Sequence, residues 1–314
     1  MKKGSVPSIC VIGGGTGLSV LLRGLKKYKS DLSAVVSVTD DGGSSGALRR
    51  ELGILPPGDI RNCLVALSEE ENLMTKLFQY RFSSHGPLSG HSFGNLFLTA
   101  MSDLTGSFDG AIARSSEVLK IRGKVLPVTL YSVNLRAELD DGKVVKGESN
   151  IAKITSRVKR LKIYPRVLPT TPEVLETIRN SDVIVLGPGS LYTSIIANLL
   201  IEGVIDALRK TRAPKIYVCN IMTQANETKG YKLSDHMEAI FKHIGGDVID
   251  YVLLNNGPIP HRLRKKYAEQ ASFPVENDLK YVKKLKLVSA NLISGTEYAR
   301  HDPDKLAKAI MKLV

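Results

Sequence analysis

Tryptophan is absent from this 314-residue chain, aromatic residues make up only 6% of it, and there are three cysteines. Cys10, Cys63 and Cys219 are odd in number, far apart and outside any CxxC pair. That pattern supports neither a disulfide framework nor a structural zinc site, and a reducing cytoplasm is the expected home. No apolar run approaches the roughly 20 residues that a spanning helix requires, so membrane insertion is not expected. The opening Met1-Lys2-Lys3-Gly4-Ser5-Val6-Pro7 lacks the apolar stretch and small-residue cleavage site of a signal peptide. The six histidines include no HExxH, and Gly187-Pro188-Gly189-Ser190 has the wrong spacing for a nucleophile elbow. Neither a zinc protease nor a conventional hydrolase triad is expected.

Negative charge is also short: 31 Asp+Glu face 44 Lys+Arg, a formal net charge of +13. Between residues 120 and 166 twelve cations stand against Glu138, Asp140, Asp141 and Glu148, a net of +8. Arg262, Arg264, Lys265 and Lys266 form a second cluster. Such a surplus attracts phosphorylated ligands, nucleic acid or anionic lipid. Neither cluster is interleaved with aromatics, the usual platforms for stacked bases. Nucleic-acid binding is therefore not expected, and a solvated basic face is the plainer reading.

What the chain has in quantity is short apolar runs alternating with helical patterns. The runs Ser8–Ile12, Ala34–Val38, Asp182–Leu186, Lys215–Cys219 and Tyr251–Leu254 read as strands buried on both faces, and Leu18–Tyr28 as the first helix. The predicted fold is α/β: one Rossmann-like, doubly wound domain over residues 1–314 with a mostly parallel sheet. Two stretches break the rhythm. Residues 58–120 show helical patterns and no strand, which predicts a helical insertion near the sheet edge. Residues 130–151 carry alternating runs around Asp140-Asp141-Gly142-Lys143, which predicts a β-hairpin excursion.

The candidate site lies in the glycine-rich turns. Gly13-Gly14-Gly15-Thr16-Gly17 follows the first strand and opens the first helix, where backbone N–H groups and the helix start favour an anion. A nicotinamide dinucleotide fingerprint fails because Leu18 stands where GxGxxG needs glycine, and no Walker lysine follows; a plain tight turn is the other reading. Thr39-Asp40-Asp41-Gly42-Gly43-Ser44-Ser45-Gly46 offers carboxylates for a ribose or for Mg²⁺, or else a solvated loop. Asp59, in Pro57-Gly58-Asp59-Ile60-Arg61-Asn62, is a helix cap or a site residue. In Ser89-Gly90-His91-Ser92-Phe93-Gly94-Asn95, His91 suits a general acid, a phosphate ligand or a satisfied turn residue. Gly187-Pro188-Gly189-Ser190-Leu191-Tyr192-Thr193-Ser194 repeats the strand, glycine turn, helix device. Two such turns suit a ligand with two ends lying across a crevice, and Asn220, Thr223 and Gln224 supply polar groups to the same rim. Cys219 ends an apolar run and reads as core.

Taken together in this order, these six motifs resemble the gluconeogenesis factor family, also called YvcK-like, within the CofD-like superfamily. The resemblance runs from residue 8 to Arg300-His301-Asp302. It implies a cytoplasmic bacterial protein required for normal growth and cell shape on gluconeogenic carbon sources. It implies binding of UDP-activated sugars, chiefly UDP-N-acetylglucosamine, with Tyr267 and Arg300 as contacts; without the resemblance, Arg300 reads as a surface charge. Cell-wall synthesis or regulatory proteins are the implied partners, and self-association is open. No cofactor is expected for such a regulator. The enzyme branch of the superfamily, 2-phospho-L-lactate transferase, implies the alternative: Mg²⁺ held at Asp40 and Asp41 and transfer from a nucleoside diphosphate adduct.

Overall fold

The structure, a computed structural model, describes residues 6–69, 73–83, 85–246, 248–279, 285–294 and 297–314. Seven strands form the main sheet: β1 (Ser8–Gly13), β2 (Asp31–Val36), β3 (Lys124–Pro127), and, after an excursion, β7 (Val183–Leu186), β8 (Lys215–Val218), β9 (Tyr251–Asn255) and β10 (Lys286–Ala290). The excursion contributes β4 (Asn134–Leu139), β5 (Val144–Lys146) and β6 (Val158–Tyr164), a separate antiparallel sheet ordered β5-β4-β6. The order in the main sheet is β10-β9-β8-β7-β1-β2-β3, and its strand pairings are parallel.

That order places the reversal at the centre. The chain grows from β1 toward β2 and β3, then returns to the other side of β1 with β7, in register Ile12↔Leu186. In doubly wound sheets the crevice at such a reversal, beyond the carboxyl ends of the strands, is where ligands bind. Both predicted glycine turns emerge there.

Sequence pattern explains the central elements. Ile9, Cys10, Val11 and Ile12 are fully buried, as are Ile184, Val185 and Leu186, because helices cover both faces of a parallel sheet. The first helix, Gly15–Leu25, presents Leu18, Leu21, Leu22 and Leu25 to the core. This is the i, i+3, i+4, i+7 stripe of an amphipathic helix, each leucine worth roughly 1.5–3 kcal/mol of burial. The last helix, Pro303–Met311, starts with Asp302 accepting from the Asp304 and Lys305 amides, both at 3.0 Å, and with proline in the first turn. It packs on the first helix so closely that a Cβ at Gly24 would lie 2.0 Å from the Pro303 carbonyl oxygen.

Residues 58–120 are helical as expected, in segments Gly58–Leu67, Leu73–Gln79, Phe93–Thr105 and Phe108–Leu119. They lie near the sheet edge, where Gly58–Leu67 and Phe108–Leu119 both contact the edge strand β3, and Gly58–Leu67 also packs against the first helix. The predicted hairpin is present as β4 and β5, but the run to Ile151 is not one strand. The chain turns at Gly147, whose φ of 89° leaves the extended region, and Glu148–Ile151 forms one helical turn. The apolar sides of β4 and β6, with Leu135, Ala137, Leu161 and Ile163, join the same hydrophobic cluster as the main sheet. No helix among the described residues is long and apolar enough to cross a membrane.

Candidate functional site

The two glycine turns meet. The Gly13 Cβ position lies 3.7 Å from the Gly187 Cα, and a Cβ at Gly189 would stand 3.2 Å from the Gly14 carbonyl oxygen. At Gly17 the fit is tighter still: an added Cβ would sit 2.5 Å from the Pro188 carbonyl oxygen. Gly15 takes φ +67°, a conformation that glycine adopts without steric cost. A cavity of about 300 Å³ opens over this junction. Of the predicted residues, Gly14, Gly15, Thr16, Gly17, Gly189, Ser190, Asn220, Thr223, Gln224, Tyr267 and Arg300 line it. Gly13 and Gly187 do not; they are buried at the strand ends, where Gly187 donates to the Ile12 carbonyl. Thr193 is buried behind the second turn, its carbonyl accepting from Thr39 at 3.2 Å.

The polar rim is braced before any ligand arrives. Asn220 donates to the Gly189 carbonyl and Gln224 to the Ser190 hydroxyl, each at 2.9 Å. The Thr223 hydroxyl is engaged by the Phe273 amide at 2.9 Å. Tyr267 packs with Ile221, Met222, Ile259, Leu263, Ile293 and Ala299 in a small second apolar cluster, which fixes the carboxyl-terminal segment beside the turns. Arg300 is exposed at the rim, its guanidinium 4.7 Å from the Tyr298 ring centre. Cys219 is core, its thiol pushed up to about 12 by burial.

The amide cradle differs from the expectation in one respect. A helix beginning at Gly15 leaves its first N–H groups without intrahelical partners, and Gly15 donates to Asp59 Oδ2 at 2.7 Å. In the second turn Tyr192 donates to Glu227 Oε2 at 3.2 Å, and the Thr193 hydroxyl donates to Oε1 at 2.9 Å. Each helix start is thus partly neutralised by one of the protein's own carboxylates. A ligand phosphate is left the remaining amides, the Ser194 hydroxyl and Arg300.

The other predicted residues gather beside the cavity rather than in it. Asp59 is no cap for its own helix; it reaches across to Gly15. Burial pushes its carboxyl up to about 6 against the Gly15 hydrogen bond; Asp40 adds repulsion and Arg61 offsets part of it. Asp40 Oδ1 accepts from Gly42 at 2.9 Å, and its Oδ2 faces Gly58. Glu148 is pushed up to about 7 by burial and then by Asp40, Glu227, Asp41 and Asp59. Asp41 points away: its two oxygens accept the Glu148 and Ser149 amides at 3.0 and 2.8 Å, capping the short turn beyond β5. Ser45 accepts from the Gly58 amide at 3.1 Å. Arg61, bonded to Ser92 and to Asn62, braces the back of this group.

Two segments here have nucleophile-elbow spacing that the sequence reading passed over, Gly42-Gly43-Ser44-Ser45-Gly46 and Gly90-His91-Ser92-Phe93-Gly94. Ser92 is fully buried and caps the helix Phe93–Thr105 through the Asn95 amide. Ser44 lies 3.1 Å from His91 Nδ1 and accepts from Asn95 at 3.1 Å. No carboxylate orients His91 among the described residues, so the pair lacks the third member of a triad. No group of three or more His, Cys, Asp or Glu side chains among the described residues is arranged to hold a metal ion. Asp41 does not fit that role with both oxygens engaged. Asp40 and Asp59 fit the limited demand of Mg²⁺, which takes one or two carboxylates and completes its shell with water and phosphate.

The sequence reading missed His301 and Ser194 as lining residues. His301 is buried, hydrogen-bonds the Cys219 backbone and is lowered to about 4 by burial, so its ring is neutral near pH 7. Its Nε2 has no partner, and neither does Gln224 Oε1. The bond to Cys219 takes the other ring nitrogen, which leaves Nε2 as an acceptor. The only sequence signal was position, in the Arg300-His301-Asp302 segment.

Comparison with known proteins agrees with this architecture. The family model of 2-phospho-L-lactate transferase CofD matches residues 9–293. The gluconeogenesis factor of Bacillus subtilis strain 168 is 46% identical over 314 residues, covering 99% of both chains. The gluconeogenesis factor of Listeria monocytogenes is 43% identical over 317 residues, covering 100% of this chain and 98% of that one. This chain belongs to the gluconeogenesis factor family of the CofD-like superfamily. A crystal structure of a Bacillus halodurans protein, described as a member of the UPF0052 family, superposes with a TM-score of 0.94 at 47% identity. It covers 97% of this chain and 99% of that chain, so the family fold extends over both glycine turns and the carboxyl-terminal rim.

Proposed function

We propose that the protein binds a nucleoside diphosphate sugar of the UDP-N-acetylglucosamine type and acts as a cytoplasmic regulator of cell-wall synthesis and cell shape during gluconeogenic growth. The observation that carries the reading is the pair of glycine turns back to back at the sheet reversal, with Arg300 on the rim. The diphosphate would lie along the turns, where amides and Arg300 balance its charge. The unpartnered acceptors His301 Nε2 and Gln224 Oε1 call for donors, which a uracil imide or sugar hydroxyls supply; leaving them unmatched costs about 1–3 kcal/mol each. A second reading, a Mg²⁺-dependent transferase, is favoured by the Asp40–Asp59 pair beside Gly15 and by the family model's description. Mg²⁺ held there would neutralise charge developing on a leaving nucleotide.

Calorimetry with UDP-N-acetylglucosamine tests the first reading. Binding is expected, weakened about tenfold or more in Arg300→Ala, as for loss of one charge-assisted contact. No heat with any UDP-sugar would remove it. Incubation with UDP and GDP adducts plus Mg²⁺ decides the second: a released nucleotide product that disappears in Asp40→Asn establishes turnover, and an unchanged adduct rejects it.

A further inference from the structure

The net +8 between residues 120 and 166 is not used by the nucleotide cavity, and the fold concentrates part of it. Pairings Arg136↔Lys162, Glu138↔Arg160 and Asn134↔Tyr164 set these side chains on the outer face of the small sheet. Leu161 and Ile163 alternate inward and are buried, whereas Arg160, Lys162 and Tyr164 are exposed. The Arg136 guanidinium stacks 4.1 Å from the Tyr164 ring centre, a contact that linear order conceals. On the far side of β6 the Leu161 amide donates to His243 Nε2 at 2.8 Å, so this strand turns its free edge toward the helix Leu233–Ile244.

A cavity of about 460 Å³ opens along this edge, lined by Arg136, Arg160, Lys162, Tyr164 and Arg166 and closed by Leu200 and His243. No carboxylate lines it. Lys162 pairs with Glu138, but Arg136, Arg160 and Arg166 have no carboxylate partner among the described residues. Two neighbouring groups register the positive field. Glu138 is held below the usual carboxylate range by the Lys162 hydrogen bond and by the charges of Lys162, Arg160 and Lys159. His243 is lowered chiefly by burial and further by Arg160 and Lys242.

We propose that this cavity is a second ligand site, separate from the one between the glycine turns, that takes a small polyphosphorylated molecule. Guanidinium forks match phosphate oxygens in pairs, and three of them border the cavity with no ion-pair contact among the described residues. The volume suits a nucleotide-sized ligand. A nucleic-acid strand is less well served, because the single ring on this face is already covered by Arg136 and successive bases would find no platform. Occupancy here would let a phosphate-rich metabolite act on the protein without competing for the first cavity.

Inorganic tripolyphosphate is the probe, titrated calorimetrically into the full chain at low salt. Binding is expected in the unmodified protein and in Arg300→Ala alike. It should weaken at least about tenfold in Arg160→Ala/Arg166→Ala, whose exposed positions leave the fold intact by circular dichroism. Arg136→Lys, which keeps charge but loses the fork, should weaken it by a smaller factor. The proposal is overturned by an absence of heat, by binding that survives the double substitution, or by binding lost in Arg300→Ala. Tighter binding of a ten-nucleotide oligouridylate than of tripolyphosphate, lost in the same double variant, would replace it with a nucleic-acid face. Failure of UDP-N-acetylglucosamine to bind leaves this test untouched, since the two cavities share no residue.

Discussion

Asp59 receives one hydrogen bond from Gly15 and lies on the same helix as Arg61, with the charge of Asp40 close by. Its carboxyl, raised to about 6 mainly by burial, binds a proton more readily in the folded than in the unfolded state. Folding stability from this group therefore falls as pH climbs from about 3.8 to about 6. His236 and His301, both lowered to about 4 by burial, act with the opposite sign: the unfolded chain takes their protons first, so stability rises as pH climbs from about 4 toward 6.5. The wild-type profile superimposes these effects, and a difference measurement separates them. Asp59→Asn keeps an acceptor for Gly15 and removes the charge. It should match wild type near pH 4 and exceed it by about 1–3 kcal/mol at pH 8. Urea denaturation at the two pH values checks this; a variant weaker than wild type at pH 8 would mean that the Arg61 attraction outweighs the burial cost. The motif containing Asp59 was legible in the sequence, but its reach to Gly15 was not, because the partners stand 44 positions apart.

The strand, turn and helix elements show what the pattern of apolar residues can and cannot reveal. The predicted runs became β1, β2, β7, β8 and β9, all inner strands with neighbours on both sides. Those that escaped were β3, β6 and β10. Each is an edge strand of its sheet, and each mixes apolar with charged or small residues because one side meets solvent. The hairpin was visible despite its polarity, since an Asp-Gly pair needs no buried face to signal a turn. At the junction of the two turn units, the decisive feature is the missing side chain of Gly17. Gly17→Ala would drive a methyl group into the Pro188 carbonyl, which is backbone and cannot rotate away. A loss of about 1–3 kcal/mol and of UDP-sugar binding is expected. Gly86→Ala, where a Cβ meets nothing within 4 Å, should change neither. Equal stability and affinity in Gly17→Ala would show that the turns can part without consequence.

At the scale of the molecule, the two sheets share one apolar core, and Asp41 is one of the polar side chains that tie them together. The acidic loop after β2 belongs to the main sheet, and Asp41 reaches from it to the Glu148 and Ser149 amides just beyond β5. Sequence reading placed Asp41 with Asp40 because the two are adjacent, but neighbouring residues in an extended loop point in opposite directions. One therefore faces the group around Asp59 and Gly15, and the other the excursion. A carboxylate accepting from two amides at a helical start contributes about 0.5–2 kcal/mol, and Asp41→Ala removes both bonds together. Residue-resolved hydrogen exchange should then show faster exchange for amides between residues 144 and 151, with β1 and β7 unchanged, because those central strands are held by their own parallel pairings. UDP-N-acetylglucosamine binding should persist, since Asp41 does not line the first cavity. Loss of that binding together with a Mg²⁺ requirement would return Asp41 to the metal role, and acceleration spread evenly over both sheets would show that Asp41 supports the entire core instead of linking two parts of it.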